Sequence, residues 1–256
     1  MPVPVPAAER TLDVLQALAL APGPLPAAAL ARRVGMPRSS AYQLLAVLAV
    51  RGFVVHYPED ERWGLGVSTF ELGAAYLRHE PLERLGRPLV HRLAHDVAGT
   101  APAVAHLGVL HGRETVYLLR ESTPVAVTVV VDIGVRLPAS LTASGRCQLA
   151  LLPPAQVRAL FPSRQSFVDR TGRGPMSLAS LRRLLAEEAS RGWSEEDGLV
   201  VEGYASVAAA AVDRTGRPVA SLGLTFRSDQ VDVPERVRLA RAVRSVAREL
   251  SRRLGA

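Results

Sequence analysis

The chain has 256 residues, of which 48% are hydrophobic and 21% charged, proportions that suit a globular fold and exclude a disordered or collagen-like chain. The formal net charge is +7 and all 31 basic residues are arginine, a surplus that hints at an anionic partner without identifying one. The single cysteine, Cys147, excludes an intrachain disulfide and suits a reducing cytosol.

The N-terminal stretch MPVPVPAAER lacks a basic region followed by an apolar core, so no signal peptide is read. The longest apolar stretch, PVAVTVVVDIGV, is too short and too interrupted to span a bilayer. A cytoplasmic protein with no membrane partner is expected. In ERTLDVLQALALA, residues Leu12, Leu15, Leu18 and Ala19 fall on one helical stripe. Pro26 is expected to open a second helix at its first position, and Leu30, Ala31 and Val34 recur along it. Gly35 stops that helix where a left-handed residue is needed. Pro37 then opens a third helix, with Ala41, Leu44, Leu45 and Leu48 as its apolar face and Gly52 at its end.

Two short helices joined so tightly form a helix-turn-helix, whose second helix lies in the major groove of DNA. The polar residues near its start are Arg38, Ser39, Ser40, Tyr42 and Gln43. Arginine and hydroxyls suit phosphates and base edges, and glutamine can pair bidentately with adenine. Bulk charge does not help here, because residues 1–80 carry seven arginines and seven acids. The following GFVVHYPEDERWGLG reads as a hairpin, with Phe53–Val55 and Trp63–Leu65 as strands and Pro58–Glu61 as the tip. A hairpin directly after a recognition helix is the wing of a winged helix. Its tip is acidic, so Arg62 is the wing-tip residue expected to face the DNA backbone.

STFELGAAYLRH reads as a short linking helix with Phe70, Gly73, Ala74 and Leu77 on one side. Another helix is expected over Leu82–Val97. Strand-like runs follow at Ala103–Leu110, Glu114–Arg120 and Val125–Val131. Helices are expected at Gly145–Leu152, Pro154–Phe161 and Ser177–Arg191, then strands at Tyr204–Val212 and Val219–Phe226. A last helix, Pro234–Leu254, would bury Val237, Ala240, Val243, Ala247 and Leu250 and expose a row of arginines. Helices around a largely antiparallel sheet make an α+β domain.

His91 and His95 stand four apart on one helix, a spacing that can hold a metal, but no third ligand stands nearby and a solvated face is the plainer reading. Cys147 follows a helix start, where a thiolate is favoured, against the default of a small buried residue. Glu195, Glu196 and Asp197 read as a charged loop before a strand. No phosphate-binding loop, dinucleotide fingerprint or Cys-x-x-Cys pair occurs, and neither cofactor nor metal is expected.

PLPAAALARRVGMPRSSAYQLLAVLAVRGFV followed by RWGLGVSTFELG resembles the N-terminal half of IclR-family transcriptional regulators. GVRLPASLTASGRCQLALLP and RGWSEEDGLVVEGYASVAAAAVDRTGRPVASLGLTF resemble that family's two effector-domain signatures, in the right order. Gln43 stands where the family often has arginine, and Ser206 where it often has cysteine. The resemblance implies a winged helix-turn-helix DNA-binding domain at 7–66, a linker helix at 67–80 and a GAF-like effector-binding domain at 81–256. It also implies an effector pocket containing Ala143, Ser144, Glu196, Tyr204, Ser206 and Thr225. Tyr204 and Ser206 would share a strand face. A helix N-terminus near Ser144 would offer N–H groups to a carboxylate effector.

The function expected is a ligand-responsive, non-enzymatic regulator, a repressor of a catabolic or metabolic operon answering to a small organic acid. Its partners are a double-stranded DNA operator and a second copy or more of itself, as homodimer or homotetramer, because two-fold operators need two recognition helices. The alternative is an enzyme or small-molecule sensor whose helix-turn-helix serves protein contacts. A transport or storage module for a small acid would leave the winged helix unexplained.

Overall fold

The computed structural model describes residues 5–79, 81–99, 101–123 and 132–256. The chain divides into two compact units, residues 1–80 and 81–256. The strand expected at Val125–Val131 lies outside the described residues.

The first unit begins with α1 (Pro6–Ala19), β1 (Leu25–Pro26), α2 (Ala27–Val34) and α3 (Arg38–Val50). The hairpin β2 (Val54–Tyr57) and β3 (Arg62–Leu65) follows, and then α4 (Val67–His79). Its core is a small apolar cluster in which Val14, Leu30, Ala31, Ala41 and Leu45 are almost fully buried. Gly35 ends α2 in the left-handed region at φ 65°, where any other L residue except Asn or Asp would be strained. The Met36 N–H then donates to Ala31 O at 2.9 Å, which reverses the chain into α3. Pro26 and Pro37 do not occupy the first helical position as expected. Each is the capping residue before it, with extended backbone at ψ 145°. Pro26 is held there by a strand that the sequence did not reveal. Leu25 and Pro26 pair with Trp63 and Arg62, giving a three-stranded sheet of order β1-β3-β2.

The second unit contains α5 (Pro81–Val97), β4 (Ala103–His111), β5 (Glu114–Ser122), β6 (Arg136–Pro138) and α6 (Ala143–Leu149). It continues with α7 (Pro154–Leu160), α8 (Leu178–Arg191), β7 (Ser194–Asp197), β8 (Tyr204–Val212), β9 (Pro218–Arg227) and α9 (Val233–Arg253). The described strands form one antiparallel sheet of order β6-β5-β4-β9-β8-β7. Side chains alternate across it. Ala105, Leu107, Val207, Leu222, Leu224 and Phe226 share one core with Leu93 of α5 and Val243 and Leu250 of α9. His106, Ser206 and Thr225 lie between them in sequence and take the opposite face.

That opposite face receives α6, which starts two residues earlier than expected because Thr142 caps it: Gly145 N–H donates to Thr142 Oγ1 at 3.0 Å. Arg146, fully buried, ties α6 to its neighbours. Its Nε donates to both carboxylate oxygens of Glu188 on α8, at 3.0 and 3.1 Å. Its other nitrogens donate to Leu141 O at 2.9 Å and to Glu195 O. Such a buried pair is stable only when its hydrogen bonds are filled, and Ser194 Oγ fills another on Glu188 at 2.8 Å.

Candidate functional sites

The first candidate surface is the outer face of α3. Arg38, Ser39, Tyr42 and Gln43 are exposed along its first turns and Ser40 is half-buried. The opposite side of the same helix buries Ala41 and Leu45, so the helix is held by its apolar face and its polar face is free. On the hairpin, Arg62 is exposed and one of its N–H groups donates to Pro24 O at 3.0 Å. That bond orients the guanidinium beside the tip of the hairpin and leaves other donors available. Glu59, Asp60 and Glu61 at the tip are all exposed.

The second candidate site is a cavity between α6, β6 and the polar face of the sheet. All six residues implied for an effector pocket line it: Ala143, Ser144, Glu196, Tyr204, Ser206 and Thr225. Tyr117, Leu137, Thr142, Val200 and Val201 complete the wall, and none of these five was singled out from sequence. Tyr117 is visible only in retrospect, as an inward position in the alternation of β5. The cavity volume is small, about 20 Å³, room for about one ordered water.

Its polar groups form a chain. Glu196 Oε1 accepts from Ser206 Oγ at 3.0 Å, and Oε2 accepts from Leu199 N–H at 3.1 Å. Ser206 Oγ bonds Thr225 Oγ1 at 2.9 Å, and Thr225 Oγ1 bonds His106 Nε2 at 3.0 Å. With the carboxylate as acceptor at one end, the donors run one way: His106 to Thr225, Thr225 to Ser206, Ser206 to Glu196. His106 is therefore protonated on Nε2, and its buried Nδ1 has no partner. Gly223 makes room for this ring, since a Cβ there would lie 2.3 Å from His106 Cε1. Burial pushes the Glu196 carboxyl up to about 7, with Ser206 and the Leu199 amide pulling it back. Burial lowers the His106 imidazole to about 3 and raises the Tyr117 phenol well above its ordinary range. Ser144 Oγ is buried beside the Tyr117 phenol.

One expectation is corrected. The acidic run is not a loop: Ser194–Asp197 is an edge strand paired with Ala205–Ala208. Alternation sends Glu196 into the cavity and turns Glu195 and Asp197 outward to Arg236 of α9, at 3.2 and 2.8 Å. Cys147 is the small buried residue of the default reading, and burial raises its thiol far above the usual value. At the start of α6 Thr142 takes the Gly145 amide, while Ala143 and Ser144 line the cavity. His91 and His95 are exposed and stack at 5.7 Å, with Glu121 3.5 Å from His91. Among the described residues, no group of three metal-ligating side chains occurs, and no helix is long and apolar enough to cross a membrane.

Comparison with known proteins adds independent findings. Residues 7–58 match the model of the IclR helix-turn-helix domain, and residues 74–252 match that of the bacterial transcriptional regulator IclR C-terminal region. The chain is 32% identical to the glycerol operon regulatory protein of Streptomyces coelicolor, over 97% of this chain and 96% of that one. It is 28% identical to the HTH-type transcriptional repressor AllR of Escherichia coli, over 97% and 90%. A solved transcriptional regulator from Alicyclobacillus acidocaldarius superposes with a TM-score of 0.86 at 21% identity, covering 99% of this chain and 100% of that one.

Proposed function

The chain belongs to the IclR family of transcriptional regulators, and from that premise we propose how its parts divide the work. It is a DNA-binding, ligand-responsive regulator. Residues 7–66 form the winged helix-turn-helix domain, residues 67–80 link it, and residues 81–256 form a GAF-like effector domain. α3 enters the major groove with Arg38, Ser39, Ser40, Tyr42 and Gln43, while Arg62 contacts the backbone. The observation that carries this reading is the free polar face of a helix whose opposite side is locked in the core of its unit.

A homodimer or homotetramer presents two such helices to a two-fold operator. The exposed apolar side chains of α4 support this, with Val67, Phe70 and Leu72 each more than half exposed in the single chain; contact between copies would remove them from water. The regulator represses a metabolic operon. The names of two relatives support that assignment, one naming the glycerol operon and one a repressor. It acts in the cytoplasm, where its DNA is, and the cavity binds an effector rather than turning over a substrate. The effector is a small organic acid, which meets the Ser144 and Tyr204 side chains in that cavity as well as the Glu196 carboxyl.

The test is a titration of the DNA upstream of its own and neighbouring genes with the parent and with Arg38→Ala. If Arg38 reads a base, the variant binds its operator about 1–3 kcal/mol more weakly. If it holds phosphate, all sequences weaken alike and the salt slope falls by about one. Unchanged affinity and unchanged slope would remove α3 from the interface.

A further inference from the structure

Glu196 is a buried acid that shares its cavity with no cation. It is 5% exposed and lines the cavity, and Ser206 Oγ and Leu199 N–H each donate to one of its oxygens. A carboxylate has about four acceptor positions, so each oxygen keeps one for a ligand or a proton. The charged and titratable groups around it come from several elements. On β7 itself, Glu195 and Asp197 turn outward to Arg236 of α9, and Asp197 still disfavours a charge on Glu196. From α6, Arg146 favours the ionised form, but its guanidinium is hydrogen-bonded to Glu188 of α8 and to the carbonyls of Leu141 and Glu195. Burial holds Cys147 of α6, Tyr117 of β5 and His106 of β4 neutral. Tyr204 of β8 lines the cavity, whereas Arg173 and Glu202, which lie against Gly198, do not.

A small organic acid brings a second carboxylate into this space. The amides that begin α6, on Ala143 and Ser144, have no acceptor within their helix, and both residues line the cavity, so the anion finds donors there. Its charge is nonetheless close to that of Glu196. The cavity volume is about 20 Å³, and widening it for a three-carbon acid leaves the two carboxyl groups only a few ångströms apart. Two carboxylates that close share one proton, since the charge of the first raises the proton affinity of the second by on the order of a hundredfold. The proton also supplies a donor that this wall lacks, because His106 donates to Thr225, Thr225 to Ser206 and Ser206 to Glu196. Resting on the reading of this cavity as the site of a small organic acid, we propose that the acid binds together with one proton taken from solvent, held between its carboxylate and Glu196. The regulator then reads acid and pH together, and the acid acts more strongly as pH falls.

The experiment is calorimetric titration of the full chain with propionate, lactate and pyruvate, near pH 8 in phosphate and in Tris, whose heats of ionisation differ, and again near pH 6. The free protein holds the Glu196 proton only up to about 7, so near pH 8 the parent should take up close to one proton per acid bound. Near pH 6 Glu196 is already protonated, uptake should fade, and affinity should be about tenfold higher than near pH 8. Glu196→Gln carries a permanent N–H in place of the proton. It should take up none, bind near pH 8 at least as tightly as the parent, and keep nearly the same affinity at both pH values. A bound acid with no proton uptake in the parent, or with the same uptake in Glu196→Gln, overturns the proposal and leaves the site standing. Ser206→Leu, checked for folding by its melting transition, tests the site separately. Binding that survives in it, or binding of none of the acids to the parent, refutes the reading on which the proposal rests and the proposal with it.

Discussion

At the scale of single residues, Glu196 and His106 set opposing dependences on pH. The folded state holds the Glu196 proton up to about 7, against an ordinary value of 4.5. Stability from that carboxyl is complete below the unfolded value and is lost as pH rises through the folded one. His106 stays neutral down to about 3, against 6.5, so its contribution is complete above the unfolded value and is lost as pH falls. Between the two unfolded values these slopes oppose each other. Glu196→Gln removes one of them, so acidification from about pH 8 to about pH 5 should cost the variant more stability than the parent, by on the order of 2 kcal/mol. Urea unfolding at the two pH values measures it, and parallel pH profiles would show that Glu196 is not buried as a coupled acid. Position, not residue type, makes these two groups special, and this limits what a sequence reveals. Ser206 and Thr225 were found because a family motif covers them. His106 sits in an apolar run, VAHLG, with nothing beside it to signal a partner 119 positions away, Thr225.

At the scale of elements, periodic stripes were legible and short or charged elements were not. α9 announces itself by Val243, Ala247 and Leu250, and all three are buried against the sheet. Its arginines then divide by partner. Arg236 meets Glu195 and Asp197, Arg238 meets Glu235, and Arg253 meets Glu249. Arg244 donates to Arg191 O at 3.0 Å. This is a helix packed on a sheet with a solvated outer face, and reversing Arg241 and Arg244 together to glutamate should leave operator affinity nearly unchanged at physiological salt, where fields fade over about 8 Å. A tenfold loss in a DNA titration, with the oligomer intact by light scattering, would assign that face to DNA. β7 escaped notice because Glu-Glu-Asp reads as a loop when its partners are unknown. Two of its acids are matched by Arg236, about 40 positions downstream, and only the pleat reveals that the middle one turns inward. β1 was missed because two residues, one of them proline, carry no strand signal. They become a strand only when β3 arrives beside them.

At the scale of the whole molecule, the order of the parts was legible from the sequence: a helix-turn-helix with a hairpin, a helix, then a sheet covered by helices. A regulator built this way works if its DNA-bound and released states hold the effector with different affinities, since a ligand shifts an equilibrium only by that difference. Filling the cavity should then abolish the response. Ser206→Leu adds bulk where the ligand sits, and its own cost to stability is about 1–3 kcal/mol. The direct test is operator affinity, at several salt concentrations, for the parent and Ser206→Leu, each with and without the small organic acid that the neighbouring genes point to. The parent is expected to bind one sequence specifically, with affinity falling steeply in salt, and to bind it about tenfold or more weakly with the acid present. In Ser206→Leu, the affinities with and without the acid should coincide. Equal binding to all sequences, or an effector response undiminished in Ser206→Leu, would contradict the account.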